Sequence, residues 1–422
     1  MTASLPIKDG RLVAASFFDD ERVAAVFRLF DGDGEETRIV GGAVRNAILC
    51  AHVDEIDFAT TALPDEVIGR AKRAGLRCIP TGIEHGTVTV MVEGTPFEIT
   101  TLREDIETDG RRATVRFGRS FEQDALRRDF TINALSLDSS RRVHDYTNGL
   151  ADLEAHRVRF IGTAAQRIRE DYLRILRFFR FHAAYGTGPM DAEAFNAIIA
   201  ERNGLESLSR ERVRAELLKL LVTTRAADVV GAMSDAGILQ PILGGIALPA
   251  RLARVIELEA CQNATPDAEL RWIAAFVMLR EDAERLRERL RLSNAETQRA
   301  LEAAGALERL HGRASPPPPG ELRTLLFEAR EKGSQDALCL AHAESTASAE
   351  DEAWARAAAF LRDTPAPALP FRGADLIARG IPPGQGLGRR LKTLQARWIR
   401  AGFPKEPSEL ARLLDETLRD QD

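Results

Sequence analysis

Glu55 and Asp57 stand one residue apart in Asp54-Glu55-Ile56-Asp57-Phe58, and upstream of them Gly41-Gly42 interrupts the strand-like run Arg38-Ile39-Val40. Alternation along a strand over Glu55 to Phe58 places both carboxylates on one face and Ile56 and Phe58 on the other. The glycines let the backbone come close to a ligand, here Gly42 above all. A helix from Ala43 to Ala51 offers unpaired N–H groups to an anion, and Arg45 adds a positive charge one turn in. A phosphate cradle beside two hard oxygen ligands is what magnesium-dependent phosphoryl or nucleotidyl transfer requires. Each half alone is ordinary, since a GG turn is common βα connection chemistry and an acid-x-acid strand is commonly a solvated face. Their order, strand, turn, helix, strand, is what joins them into a nucleotide site.

A second set of charges lies in Arg167 to Ala183, read as one helix. Asp171, Arg174, Arg177 and Arg180 recur every three residues along one side, while Tyr172, Leu173, Ile175, Leu176, Phe178, Phe179 and Phe181 fill nearly everything else. A helix apolar almost all round is buried, and buried arginines need anionic or hydrogen-bonding partners. A triphosphate and a nucleobase edge would supply both; a structural salt-bridge helix between domains is the competing reading. Arg127, Arg128 and Asp129 precede a helical apolar run in RRDFTINAL, where an Arg-Asp pair capping a helix is the plainer alternative.

The elements that position these residues fall into two styles. After a short amphipathic helix around Phe17 to Phe30, residues 36 to about 145 alternate strand-like runs with helices near 44 to 51, 64 to 74 and 122 to 134, giving an α/β head on one mixed sheet. From about Leu150 the pattern is helical throughout. Thr101 to Gly118 is polar, charged and glycine-punctuated, and reads as a long loop, a kind that is functional or disordered. Ser315 to Gly320 carries four prolines and marks a boundary.

The motifs GGAVRN, EIDFATTALP, TGIEHGTVTV, FEITTLRED, RRDFTINAL, DYTNGLADL, REDYLRILRFFRF and SRERVRAEL, in this order from Arg38 to Leu217, resemble the bacterial class II CCA-adding enzymes. These are tRNA nucleotidyltransferases of the DNA polymerase β superfamily. Past about Leu220 the resemblance is one of general character. It implies an α+β multidomain fold: an N-terminal helical segment (1 to 35), a nucleotidyltransferase head (36 to 148), a neck that selects nucleotides (149 to 225), a helical body (226 to 314) and a helical tail that docks tRNA (321 to 422). The implied activity is template-independent addition of CCA to tRNA 3′ ends from CTP and ATP, with release of pyrophosphate, by a two-metal mechanism using Mg2+.

By the same resemblance Glu55 and Asp57 are the metal ligands, and Glu98 is a candidate third acid on a neighbouring strand. The family has aspartate at both of the first two positions, so Glu55 is a departure; Asp54 would point to the other face of the strand. Arg128 faces the nucleotide and Asp129 braces the site. Asp171 and Arg174 belong to the motif that pairs with the incoming base, an aspartate accepting from an exocyclic amine and an arginine donating to ring acceptors. Arg103, Glu104 and Asp105 are the candidates in a flexible loop that helps the change from C to A addition. The DYTNGLADL stretch is a hinge turning at Gly149, and Glu211 and Arg212 belong to a structural neck motif.

Composition bounds the rest. At 422 residues with 29% charged side chains and a formal net charge of -6, the chain is not a globally basic nucleic-acid coat, and a basic face must be local. The tail has the most basic stretch with a usable aromatic. Arg390, Arg397 and Arg400 lie within reach of one broad helical face near Trp398, as tRNA phosphate contacts or as a solvated face. Cys50, Cys78, Cys261 and Cys339 have no zinc or disulfide spacing, the histidines form no HxxxH cluster, and neither a signal pattern nor a membrane-length apolar run is present. A cytoplasmic protein with no membrane partner is expected. A poly(A) polymerase of the same superfamily and a non-catalytic RNA-binding relative are the alternatives, the second motivated by Glu55.

Overall fold

The computed structural model describes residues 5–13, 15–83, 86–109 and 112–419; Glu84 and His85 of the TGIEHGTVTV motif lie outside the described residues. By backbone contacts the chain divides into two units, one of Met1–Arg225 with Ala232–Ile242 and one of Ala226–Gly231 with Leu243–Asp422.

Among the described residues every strand lies in the first unit. A small hairpin, β1 (Ile7–Lys8) and β2 (Arg11–Leu12), leads to α1 (Glu21–Phe30), capped by the Asp20 side chain, which accepts from Arg22 N. Then follow β3 (Thr37–Val40), α2 (Gly42–Ile48), β4 (Asp57–Thr60), α3 (Pro64–Arg73), β5 (Arg77–Gly82), β6 (Thr87–Val92) and β7 (Thr95–Thr101). Next come β8 (Arg103–Asp109), β9 (Arg112–Phe117), α4 (Phe121–Leu126), β10 (Ser136–Leu137) and β11 (Val143–His144). Seven strands form one mixed sheet in the order β11-β10-β3-β4-β7-β6-β5, in which β4 and β7 run parallel and the other neighbours antiparallel. Val23, Val26, Phe27 and Phe30 recur at helical spacing on α1 and are all buried. The Phe27 ring meets Phe58 of β4 edge-on at 5.4 Å, and Phe58 meets Phe97 of β7 at 6.0 Å. That core fixes the strand ends from which the site projects.

The same unit continues with α5 (Gly149–Glu154), α6 (Ala164–Glu170), α7 (Leu173–Tyr185), α8 (Ala192–Glu201) and α9 (Arg210–Leu221), and α10 (Ala226–Asp235) spans the division. Four expectations are corrected here. The helix expected over Arg167 to Ala183 is broken at Asp171, whose backbone is extended (φ -156, ψ 107), so that α6 and α7 are separate helices. The helix expected over 122 to 134 ends at Leu126; Phe130 bridges to Phe160, and Thr131–Asn133 form a single 3-10 turn. Thr101 to Gly118 is an antiparallel pair, β8 with β9, because its polar residues alternate with enough Ile, Thr and Val to complete a ladder. The strand over Glu55 to Phe58 begins only at Asp57, leaving Glu55 in the preceding extended segment.

The second unit is helical. After α11 (Gln240–Leu243) it runs through α12 (Pro249–Cys261), α13 (Ala268–Phe276), α14 (Arg280–Leu290), α15 (Asn294–Leu307), α16 (Pro319–Glu344), α17 (Glu352–Asp363), α18 (Gly373–Ile377), α19 (Gln385–Arg400) and α20 (Pro407–Arg419). A capping box at Ser293 and Glu296 starts α15. The proline run joins α15 to α16, which pack along each other, and Pro319 takes the first turn of α16, where its missing N–H costs nothing. Trp398, Leu394, Leu376, Phe371, Leu413 and Leu414 form the apolar core under α18 to α20. Among the described residues no helix is long and apolar enough to cross a membrane. The fold is α+β and multidomain.

Candidate active site

Asp57 at the start of β4 and Glu55 in the segment before it build the acidic wall. Asp57 opens β4 in register with Val40 on one side and with Glu98 on the other, so the Asp57 and Glu98 side chains share a sheet face. Partial desolvation raises the Asp57 carboxyl above its ordinary value although much of the residue is open to solvent; Glu98 and Glu55 repel its charge further, and Arg128 works against them. Immediately after β3 the chain turns at Gly41 in a left-handed conformation (φ 69, ψ -123), and a Cβ there would stand 3.2 Å from Nη1 of Arg128. Gly41 rather than Gly42 is therefore the glycine this turn needs; a Cβ on Gly42 would make only ordinary contact, 3.7 Å from Arg45.

These residues line a cavity of about 620 Å³ that gathers Gly42, Arg45, Glu55, Asp57 and Arg128 from the head with Asp171, Arg174, Arg177 and Arg180 from α7 and the break before it. Glu98 couples to Asp57 but does not line the cavity, and neither does Arg103; the side chains of Glu104 and Asp105 lie outside what the structure describes. Among the described residues no three acid, His or Cys groups are arranged to hold a metal. Two carboxylates at the cavity, one with its charge disfavoured by its acidic neighbours, still fit a hard divalent cation, which would relieve that repulsion.

Protein carboxylates hold the basic wall in place. Arg177 donates through Nε to Asp129 at 2.6 Å, Arg180 to Glu216 of α9 at 2.6 Å, and Arg174 to Glu170 at 2.5 Å. The three guanidinium groups are half-buried, and each has a carboxylate partner that offsets its desolvation. Asp129 accepts from Phe130 N and Asn133 Nδ2 as well, which ties the 3-10 turn to α7. Arg128 is clamped by Asp124, with Nη2 at 3.0 Å, and Arg127 pairs with the same carboxylate. Burial pushes the Asp124 carboxyl up, and Arg128 with Arg127 more than offsets it, leaving it below its ordinary value. Arg45 is buried and makes no ion pair with a carboxylate among the described residues; Asn133, Asn46 and Tyr185 take its N–H groups.

At the break, the Asp171 carboxylate receives the N–H of Leu173, the first residue of α7, on Oδ1, and Arg212 Nη2 at 2.7 Å on Oδ2. Arg212, expected to be structural only, thus lines the cavity and orients Asp171. Sequence reasoning also missed Asp124, Asn133, Tyr185 and Glu216. Asp124 was findable, three and four residues before Arg127 and Arg128 on a helix; the others meet the site through tertiary contact alone. In the second unit, Arg390 Nη1 donates to Thr417 O at 3.2 Å and Arg397 Nη1 to Thr417 Oγ1 at 3.1 Å, so both lean half-buried on α20, while Arg400 is exposed. The single broad face expected for the three is not formed.

A family model described as poly A polymerase head domain matches residues 37–159, and one described as probable RNA and SrmB-binding site of polymerase A matches residues 189–248. The mitochondrial CCA tRNA nucleotidyltransferase 1 of Homo sapiens is 32% identical over 404 residues, 94% of this chain and 90% of the relative. The CCA-adding enzyme of Limosilactobacillus fermentum is 32% identical over 399 residues, covering 92% and 94%. Among solved structures, the Bacillus stearothermophilus CCA-adding enzyme in complex with CTP superposes with a TM-score of 0.74 at 25% identity, over 94% of this chain and 97% of that one. A Thermotoga maritima CCA-adding enzyme complexed with tRNA, 19% identical with a TM-score of 0.62 over 96% and 98%, shares the fold. Matched at this identity along nine-tenths of such relatives, the chain belongs to the family of CCA-adding tRNA nucleotidyltransferases.

Proposed function

We propose that this chain adds CCA to tRNA 3′ ends from CTP and ATP without a nucleic-acid template, releasing pyrophosphate. The observation that supports it most is one cavity with Glu55 and Asp57 on one wall and Arg174, Arg177 and Arg180 on the other, in a chain of this family. In nucleotidyl transfer a terminal hydroxyl attacks the α-phosphate and pyrophosphate leaves, so developing negative charge must be neutralised. Glu55 and Asp57 would hold Mg2+, with Glu98 adding negative charge behind Asp57. Magnesium, when bound, supplies positive charge to the phosphates.

The chain's own residues do the rest. Arg45, Arg128, Arg177 and Arg180 face the triphosphate, and the carboxylates that pair three of them hold them near where phosphate oxygens arrive. The Gly41 turn lets the backbone come close to the phosphates. Asp171, aimed by Arg212, and Arg174 read the amino group and ring acceptor that cytosine and adenine share. The β8–β9 hairpin with Arg103, Glu104 and Asp105 acts in the change from C to A addition. In this reading the head is 36 to 148, the neck 149 to 225, the body 226 to 314 and the tail 321 to 422, with tRNA docked on the tail.

The test is incorporation on tRNA lacking its 3′ end, with CTP alone, ATP alone and both. Two C with CTP and a complete CCA with both are expected. Long A tails would instead identify a poly(A) polymerase, and no incorporation a non-catalytic RNA-binding relative.

A further inference from the structure

Arg45 poses a question that the reaction does not answer. It is 6% exposed, lines the cavity, and has no carboxylate ion pair among the described residues, whereas Arg128, Arg174, Arg177 and Arg180 each have one. A buried cation left without a counter-ion needs compensation from dipoles, π faces or a ligand. The protein supplies the first two. Nη1 donates to Asn133 Oδ1, Nη2 to Asn46 Oδ1 at 2.9 Å and to the Tyr185 hydroxyl at 2.7 Å, and the guanidinium lies 4.1 Å from the Tyr185 ring centre. The Tyr185 hydroxyl in turn donates to Asn46 Oδ1 at 3.2 Å, closing a ring of three side chains. Burial draws the basicity of Arg45 down and the nearby Arg180 adds to that, while Tyr185 and the more distant Asp129 charge oppose them.

The placement of Tyr185 is built into the helix end. It is the last residue of α7, and Gly186 follows because a Cβ there would stand 2.4 Å from Nδ1 of His182. Arg225 Nη1 donates to the Gly186 carbonyl at 2.6 Å, which fixes the chain just past the end of α7. The same helix therefore carries Arg174, Arg177 and Arg180 to the cavity and the tyrosine that orders Arg45.

We propose that Tyr185 is a positioning residue of the nucleotide site: it holds the Arg45 guanidinium so that this cation meets the triphosphate common to CTP and ATP. The proposal rests on the nucleotidyl-transfer reading above. Tyr185 touches no substrate itself and acts through Arg45, so its loss weakens both nucleotides alike and leaves base choice unchanged.

The test uses the full chain with Tyr185→Phe, which keeps the ring and removes the hydroxyl, Tyr185→Leu, which removes both, and each in an Arg45→Ala background. Binding of CTP, cytidine and inorganic tripolyphosphate is titrated directly, and KM and kcat are measured for both nucleotides and tRNA. Tyr185→Phe is expected to weaken CTP and tripolyphosphate about 5- to 10-fold, the scale of a hydrogen bond to a charged group, and to leave cytidine unchanged. KM for CTP and ATP rises in parallel, with kcat and the KM for tRNA held within about twofold. Tyr185→Leu loses more, and neither change adds to the loss caused by Arg45→Ala. Unchanged tripolyphosphate affinity in Tyr185→Phe, no tripolyphosphate binding by the parent, or full additivity with Arg45→Ala would overturn the proposal. If the parent binds tripolyphosphate yet adds no nucleotide, the transferase reading falls while the anion titration still decides the role of Tyr185.

Discussion

Asp57 sits where its surroundings disfavour charge, and that gives a stability test independent of turnover. Its carboxyl is raised above the ordinary 3.8 by desolvation and by Glu98 and Glu55. A raised carboxyl contributes stability that is present below the unfolded value and is lost as pH rises through the folded value, so at neutral pH the charged form is a net burden. Asp57→Asn should therefore melt higher than the parent at neutral pH, and the gap should close as pH falls through the raised value. Added Mg2+ should lift the melting temperature of the parent and not of Asp57→Asn, since only the parent has two carboxylates at the cavity to offer. Incorporation is abolished in Asp57→Asn and in Asp57→Ala while tRNA binding is retained. Melting curves over pH with and without Mg2+ check the first pair of claims; an Asp57→Asn protein less stable than the parent at neutral pH would contradict them. Glu55→Asp restores the family's ligand and should keep or raise the rate of CMP addition. The Glu55–Asp57 pair was legible from residue type and spacing, whereas Arg128 was singled out through the family resemblance. The clamps Asp124, Asn133 and Glu216 act through folded contacts, and only Asp124 has a local signature.

Among the elements, the break between α6 and α7 shows where periodicity misleads. The run Arg167 to Ala183 has the spacing of one helix, and propensity alone continues it through Asp171. Tertiary contacts decide otherwise. Asp171 trades its helical backbone for two bonds, one to Leu173 N and one to Arg212, and the Tyr172 ring lies so close to Gly204 that a Cβ there would meet its Cδ1 at 2.0 Å. No flexible chain end can give way there, because the neighbouring atoms belong to a rigid ring. Gly204→Ala should destabilise the protein by about 1–3 kcal/mol, the scale of overpacking. By displacing Tyr172 and with it Asp171, it should also reduce discrimination among the four nucleoside triphosphates. Denaturant titration measures the first effect and the kcat/KM ratios the second. A variant as stable and as selective as the parent would mean that the 3-10 turn Arg202–Ser207 moves aside freely. The long apolar strands and amphipathic α1 were readable from their period. The β8–β9 pair was not, because glycine and charge hid a strand alternation that only pairing makes visible.

At the scale of the whole molecule, a net charge of -6 obliges any RNA-docking surface to be local, and the tail helix shows how pattern and packing divide the arginines. Helical spacing selected Arg390, Arg397 and Arg400, yet the apolar row of α19 built on Leu394 and Trp398 turns Arg390 and Arg397 toward α20. Arg389, Lys392 and Arg400 are the basic residues of α19 left exposed, and at spacings of three, eight and eleven they follow one stripe of the helix. The two sets therefore have separable roles. Replacing Arg389, Lys392 and Arg400 by alanine should flatten the salt dependence of tRNA affinity by about 0.9 per lost phosphate contact if the bound arm is duplex-like, with base selection intact. Replacing Arg390 and Arg397 should instead lower the melting temperature, since the bonds to Thr417 join α19 to α20. Affinity titrations across a salt series, paired with melting curves for both variants, separate charge lost from RNA from packing lost within the tail. An unchanged slope in the first variant moves the docking surface off α19 and leaves that helix as packing for Trp398.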